Sequence, residues 1–400
     1  MQRKRIDIIV ILGMLMAFAP MAIDMYLPAL PTLESAFQVD ATRVQLTLAA
    51  FFIGFAIGQA FYGPFADRFG RKPPLYFGLV LFLGASIACA FAPSIESLIV
   101  LRFIQGLGAC ASVVVARAMV RDLFEPRDAA RVFSLLMLVF GAAPVLAPLI
   151  GGYILLGFGW REIFVALAVF GFICFIAAAV RLPESQRPEM VQPLRLGVVL
   201  RTYWQLLIHR RYIGNVLAGG ISISGLFAYI SGSPFVVIEL YHVAAEDFGW
   251  LFGANALGLV LTAQINARLV RHYQPETLVL CGLGLQALAG AFLVVAGATG
   301  LGGLYGIAVP LFVYVSCTGV VMPNATALAM APFPQIAGAA SALLGTLQFG
   351  LAAIAASLVG AAHNDSALPM AGVILGCGGL AFLIFSVMVV SRSTTRIVRE

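Results

Sequence analysis

Charge is what this sequence has least of: Asp, Glu, Lys and Arg together make up only 10% of its 400 residues. Ordinary soluble domains carry about a quarter, and a chain of this length would not stay dispersed in water on so little. Histidine is scarce too. The four present (His209, His242, His272, His363) lie at the ends of apolar runs or between them, and none is paired with a Ser or Cys nucleophile. Six cysteines (Cys89, Cys110, Cys174, Cys281, Cys317, Cys377) occur without any Cys-x-x-Cys and without a Cys/His cluster of metal-ligand spacing. All six sit within apolar runs and are expected to be small buried hydrophobes. No Walker sequence is present, so energy from nucleotide hydrolysis would need another subunit. Neither an enzyme nor a metal protein is expected.

What fills the sequence instead is apolar residue, 61% of it, with a mean hydropathy of +1.00. Twelve apolar runs fall near 8–30, 43–63, 74–92, 96–119, 131–155, 161–182, 212–236, 247–270, 277–298, 303–329, 335–361 and 369–391. Each is about long enough to cross a hydrocarbon core. The expected fold is all-α and integral to the membrane, twelve transmembrane helices in two six-helix bundles. The N-terminal Met1-Gln2-Arg3-Lys4-Arg5 stretch superficially resembles a signal peptide but lacks a small-residue cleavage site, so an uncleaved first helix is expected. An Arg/Pro-rich gap separates the halves, giving bundles over 1–182 and 212–400 and a central loop over 183–211. A faint repeat agrees: Ala116-Arg117-Ala118-Met119 is matched by Ala327-Leu328-Ala329-Met330, at an offset near 210 residues. A parallel duplication of a six-helix unit produces such an offset and places a cavity between the halves.

The formal charge of +6 does not indicate nucleic acid, because the basic residues fall in short clusters between spans. With the N-terminus in the cytoplasm, all of the 24 Lys and Arg residues except Arg43, Arg102 and Arg161 lie on the cytoplasmic side. The opposite orientation inverts the bias, so both termini are expected there.

Few charges lie inside the spans. Asp24, in Ala22-Ile23-Asp24-Met25-Tyr26-Leu27-Pro28, is a carboxylate within the first span. Such groups face protein or a water-filled cavity by default, which makes it a candidate proton carrier rather than a hydrated interfacial Asp. Arg102, in Arg102-Phe103-Ile104-Gln105-Gly106, lies on the order of 10–13 Å into the fourth span at 1.5 Å per residue. Asp24 is at about the same depth, and opposite charges at matched depth lower each other's burial penalty. The two are expected to communicate directly, through Gln105 or through water. Gly106-Leu107-Gly108 echoes a dinucleotide fingerprint, but in mid-membrane small residues signal close helix packing instead.

The fifth span carries Gly141-Ala142-Ala143-Pro144-Val145-Leu146-Ala147-Pro148-Leu149-Ile150-Gly151-Gly152. Two prolines and a glycine pair kink a helix and smooth one face for a movable contact. Between the second and third spans stands Gly63-Pro64-Phe65-Ala66-Asp67-Arg68-Phe69-Gly70-Arg71-Lys72-Pro73-Pro74-Leu75, whose charges place it at the water surface. Gly63, Asp67, Arg68, Gly70 and Arg71, with Arg121 and Asp122 at the foot of the fourth span, form a candidate conformational latch. Its Asp67 is aimed at the positive end of the eleventh helix. The second half supplies neutral polar and aromatic residues. Phe227, Tyr229, Asn255, Tyr314 and Gln348, with Met21, Tyr26, Gln105, Met137 and Phe140 from the first half, are candidate substrate-binding residues of an adaptable pocket.

The Gly63–Leu75 loop resembles the signature between helices 2 and 3 of the major facilitator superfamily. Asp24-Met25-Tyr26-Leu27-Pro28, Arg102-Phe103-Ile104-Gln105-Gly106 and the Pro/Gly run are similar to the Bcr/CflA drug-resistance branch. In the run, the usual Gly-Pro of the antiporter motif is replaced by Ala147-Pro148. The resemblance implies a bacterial inner-membrane drug/proton antiporter for compounds such as bicyclomycin, phenicols or lipophilic cations. It also implies proton coupling at Asp24 and Arg102, and the latch role given above. Where some relatives carry a second acid in helix 1, this chain has Met16, which shifts the expected cargo toward neutral or zwitterionic compounds. The expected partners are a small drug, protons and lipid, without nucleic acid; the expected state is a monomer, and the proton gradient replaces any cofactor. The alternative is a proton-coupled exporter or symporter of an endogenous amino acid, sugar or nucleoside, separable by the direction of flux. A channel or membrane enzyme has no residue cluster in its favour.

Overall fold

The computed structural model describes residues 2–186 and 196–390, and in it the apolar runs are helices. Arg187, Arg195, Arg392, Arg396 and Arg399, used above for orientation, lie outside the described residues. Among the described residues, eleven stretches are long and apolar enough to cross a membrane, and Gly141–Gly157 is a shorter apolar helix. That shorter stretch is the second half of a 32-residue helix, Pro126–Gly157.

In the first compact unit, Met1–Leu196 with Ala245–Trp250, the helices are α1 (Gln2–Asp24), α2 (Leu30–Phe37), α3 (Ala41–Phe69), α4 (Lys72–Ala90), α5 (Ile95–Leu123), α6 (Pro126–Gly157) and α7 (Trp160–Arg181). Their starts are set by local chemistry. The Asp40 carboxylate accepts from the Arg43 N–H at 2.9 Å to cap α3, and Ser94 and Ser97 form a capping box at α5. Prolines open α4 and α6, where the missing N–H is harmless. The first span is not one helix. It breaks after Asp24 into a 3-10 turn, Leu27–Ala29, around Pro28 and resumes as α2, because proline cannot continue the ladder of the preceding turn. Helix α5 packs on α3, α4 and α1, and α1 also packs on α6 and α7. The small residues between the second and fourth spans do what mid-membrane glycines should: a side chain at Gly106 of α5 would strike the Phe51 carbonyl of α3.

The second unit, Gly197–Ala244 with Leu251–Glu400, contains α8 (Leu196–Ile208), α9 (Arg210–Pro234), most of α10 (Ala245–Leu269), α11 (Pro275–Thr299), α12 (Gly303–Met330), α13 (Ala337–Ala361) and α14 (Leu368–Phe385). Within the segment expected to be a central loop, α8 is a 13-residue helix, which an apolar-run reading passes over because it is too short to span. Helix α9 packs on α12, α13 and α14, and α11 on α12 and α14. Of the six cysteines, Cys281 is exposed and Cys377 half-buried, so these two depart from the expectation of burial. A lipid-facing position accepts a small apolar residue as readily as a core does.

Candidate functional site

The centre of the first unit is Arg102. Its side chain is fully buried, yet its partners are neutral. One guanidinium nitrogen, Nη1, donates to the Ala22 carbonyl of α1 at 3.0 Å and to Gln105 Oε1 at 2.5 Å. The plane of the group lies over the rings of Tyr26 and Phe51, each 4.6 Å from its carbon to the ring centroid, and near Phe164 at 5.8 Å. Rings present negative faces to a cation, so three aromatics from α3, α7 and the turn after α1 do part of what a carboxylate would. Nε and Nη2 have no acceptor among the described residues.

The shell around Arg102 is itself held. Gln105 Nε2 donates to Ser86 Oγ at 2.7 Å, and Ser86 donates in turn to the Phe82 carbonyl at 2.7 Å. That chain fixes the amide so that its oxygen faces the arginine. On the other side, Thr47 gives its proton to the Val44 carbonyl at 2.6 Å. Tyr26 must therefore be the donor in its 2.9 Å contact with Thr47.

Asp24 does not join this assembly. It is buried, but it forms no ion pair with Arg102 and no hydrogen bond among the described residues. The expected direct or Gln105-mediated contact is therefore corrected. The reason is azimuth. Ala22, whose carbonyl meets Arg102, and Asp24 are two residues apart in α1 and so about 200° around the helix from each other. Matched depth does not place two residues on the same side.

The Pro/Gly run of α6 meets α1 close to this point. A side chain at Gly151 would overlap the Met25 backbone carbonyl, one residue beyond Asp24. Gly152 and Pro148 are buried, while Gly141 and Pro144 are half-buried. Of the proposed substrate residues, Tyr26 and Gln105 are committed to Arg102, and Met21 is half-buried. The side chains of Met137 and Phe140 lie outside the described residues.

The remaining candidates sit in the second unit. Tyr229 stacks on Phe252 with centroids 5.4 Å apart and accepts from Asn255 Nδ2 at 2.8 Å. Phe227 lies 5.5 Å from Phe349, and half-buried Gln348 touches Met322 Sδ at 3.9 Å. Tyr314 donates to the Ser222 carbonyl at 3.0 Å. Ser222 Oγ donates to Gln286 Oε1 at 2.7 Å, and the Gln286 amide donates to the Tyr314 carbonyl at 3.2 Å and to Thr318 at 3.1 Å.

At the charged turn between α3 and α4, Arg71 is the hub. Its Nη1 donates to Asp67 at 2.6 Å and its Nε to Asp122, at the foot of α5, at 2.7 Å. Partial burial works against its charge, but the two carboxylates outweigh that and hold its pKa above the ordinary arginine value. Arg68 and Arg121 form no ion pair or hydrogen bond among the described residues. Gly63 lies within α3 with open space around it.

A further carboxylate completes the knot, and the sequence reading missed it. Glu184, three residues past the end of α7, accepts from the N–H groups of Arg71 at 2.9 Å and Lys72 at 3.0 Å, the unpaired donors that open α4. It also accepts from Ser185 and Gln186. Burial works to raise its pKa, but the four backbone donors hold it below the ordinary glutamate value. Ser185 donates to Asp122 at 3.1 Å, and the Gln186 amide donates to the Asp67 carbonyl. Gly70, at φ +92°, is the residue this clamp requires, since a side chain there would press to 2.8 Å from Glu184 Oε2. An acid just beyond a span is too ordinary a pattern to have revealed this.

Comparisons with known proteins show the family of the chain. The family profile described as Major Facilitator Superfamily matches residues 12–357. The bicyclomycin resistance protein homolog of Haemophilus influenzae is 34% identical over 369 residues, covering 92% of each chain. The multidrug resistance protein MdtL of Salmonella dublin is 28% identical over 369 residues, again with 92% of each chain covered. Among solved structures, the crystal structure of a D-xylose-proton symporter superposes with a TM-score of 0.77 at 17% identity, over 96% of this chain and 98% of that one. At that identity the likeness speaks for the fold alone.

Proposed function

The chain belongs to the major facilitator superfamily, and from that premise we propose that it is a multidrug efflux transporter of the bicyclomycin-resistance type. It exchanges protons for small amphipathic drugs by alternating access. Support for the cargo class comes from relatives that match over nearly their whole length and are named for bicyclomycin or multidrug resistance. Support for the proton step is one observation: Asp24 is buried in the first span without a counter-charge among the described residues. A lone carboxylate in that position is the group at which a proton is taken up from one side and given up to the other. Outward-facing, Asp24 is protonated and cargo leaves; inward-facing, the proton leaves as cargo binds.

Arg102 acts on this cycle through α1. It grips the Ala22 carbonyl two residues before Asp24, so a movement of the last turn of α1 alters the grip and the setting of the carboxylate together. The Arg71 knot holds the feet of α3, α4 and α5 as one body, which is what a latch needs on its own side. The protein works as a monomer in a bacterial inner membrane with both termini cytoplasmic, the orientation supported by the basic residues between spans.

The test is drug-induced proton movement in proteoliposomes across a panel that includes chloramphenicol and a lipophilic cation. Proton release on drug addition to the wild type, absent in Asp24→Asn, is the expected result. Equal signals from both proteins would remove Asp24 from the proton path. No signal from either across the panel would remove the drug assignment.

A further inference from the structure

Helix α8 has two apolar faces where a water-exposed surface helix has one. On one face, buried Leu206 packs with Tyr203 and Leu207 on Tyr212 and Val216 of α9, Ala329 of α12, and Ala340 and Leu343 of α13. On the other, Leu200, Trp204 and Ile208 are 66%, 64% and 63% exposed. Their spacing of four residues puts them in one row. The charges beside the row are of one sign. From Gly197 to Arg211 there are three arginines and no acid. Arg211 is paired with Glu276 at 3.2 Å, and Arg210 donates to the Val387 carbonyl at 3.3 Å. Arg201, next to Leu200 and three residues before Trp204, is exposed and forms no ion pair or hydrogen bond among the described residues.

Position narrows the possible occupants. Only His209 separates α8 from α9, and the stretch Arg210–Leu240 is long and apolar enough to span. The C-terminal end of α8 is thus kept at a membrane surface by the chain itself. Three side chains on a helix about 20 Å long cover far less than the roughly 1,200 Å² of a specific protein interface. They are ample for shallow insertion among lipid headgroups, where tryptophan with flanking arginine is favoured.

We propose that the exposed face of α8 docks on anionic lipid. Leu200, Trp204 and Ile208 enter the headgroup region of the leaflet at which α9 begins, and Arg201, with Arg210 at the helix end, meets the lipid phosphates. In the orientation given above this is the cytoplasmic leaflet. Such a contact ties the buried face of α8, and with it the feet of α9, α12 and α13, to lipid charge. Membrane composition then becomes an input to the second unit that needs no cargo.

The experiment uses the full-length chain with Trp204 as its sole tryptophan (Trp160→Phe, Trp250→Phe), in phosphatidylcholine bilayers with and without phosphatidylglycerol. With the anionic lipid present, shallowly brominated lipids should quench Trp204 about twofold or more, and aqueous acrylamide should lose access to it. Arg201→Gln with Arg210→Gln should raise the phosphatidylglycerol needed for half the effect by roughly fivefold or more. If that pair does not insert, Leu200→Gln alone should weaken lipid quenching. Free quenching by acrylamide with none by brominated lipid would overturn the proposal. So would shielding from both, which would mean that a protein or a second copy covers the face. The fluorescence requires no transported compound, so failure of the drug assignment leaves this result readable.

Discussion

In the first unit α1 leans on α5, α6 and α7; in the second, α9 leans on α12, α13 and α14, so the fourth, fifth and sixth long helices play matching parts. Within this shared plan the two centres are filled differently. Among the described residues, the first holds a buried arginine whose Nε and Nη2 lack acceptors, and an aspartate without a partner. Around Gln286 the second holds a closed ring of neutral donors and acceptors running through Ser222, Tyr314 and Thr318. Neutral groups can satisfy one another and the backbone completely, and the result is rigid. A cation held by carbonyls and ring faces cannot be satisfied so fully, and it stays responsive to any charge that comes and goes nearby. Under the proposed function, the first centre would be the one that senses charge and the second the one that holds shape.

The contrast is broken most severely at Asp24. Asp24→Asn should lower proton-coupled export by about 100-fold or more, the scale of a lost positioned proton-transfer group, while leaving cargo binding measurable by tryptophan quenching or calorimetry. Retained proton-driven export would move the sensing role elsewhere.

Arg102→Met separates function from stability. An apolar side chain of similar length within Tyr26, Phe51 and Phe164 should leave the melting temperature unchanged or higher, because buried charges are often replaced without loss. Coupled transport should nevertheless fall at least about tenfold. A melting temperature lower by many degrees with transport intact would make Arg102 a structural pin instead.

Glu184→Gln tests whether the knot is held by charge. Its loss should destabilise the protein by about 1 kcal/mol, the usual worth of a group capping a helix start, read as a lower melting temperature. The pH dependence follows the lowered pKa of Glu184. The stabilisation is complete above the ordinary glutamate range near pH 4–5 and is lost as pH falls through the depressed folded value. Wild type and Glu184→Gln should therefore converge in strongly acidic buffer; a constant difference at all pH values would assign the effect to packing.

The smallest change belongs to the closed ring. Tyr314→Phe removes one donor to the Ser222 carbonyl and should cost about 1 kcal/mol of stability, with transport altered less than about threefold. A loss as large as that of Arg102→Met would erase the contrast between the two centres.

The membrane crossings were legible because a bilayer admits few answers: backbone must bond to itself, and apolar length reports the crossing. Expected and observed ends agree to within one or two residues at most ends of the second through twelfth spans, and to within six where helices run on or stop short, as α3 runs on to Phe69. The first span ran on past Asp24 because a run of hydropathy does not register the break at Pro28. The site was legible in its members more than in its contacts. Asp24, Arg102, Gln105, Asp67, Arg71 and Asp122 are all where charge inside or between spans drew attention. That Gln105 serves Arg102 follows from a three-residue spacing on one helix. The aromatic box does not, since Phe51 and Phe164 are two among 30 phenylalanines and nothing in their local pattern marks them.

By itself, the sequence determined that this chain lives in a bilayer, how many times it runs across, and which few charged residues had to be explained there. Those are consequences of composition and period, and each residue carries them wherever it lies in space. Only the tertiary structure decided that Arg102 looks to carbonyls and ring faces while Asp24 looks away. It alone brought Glu184 across more than a hundred residues to the start of α4, and left one face of α8 uncovered. Those depend on helix rotation and on which segments meet, quantities set by the packing of the whole unit and not by any stretch of it.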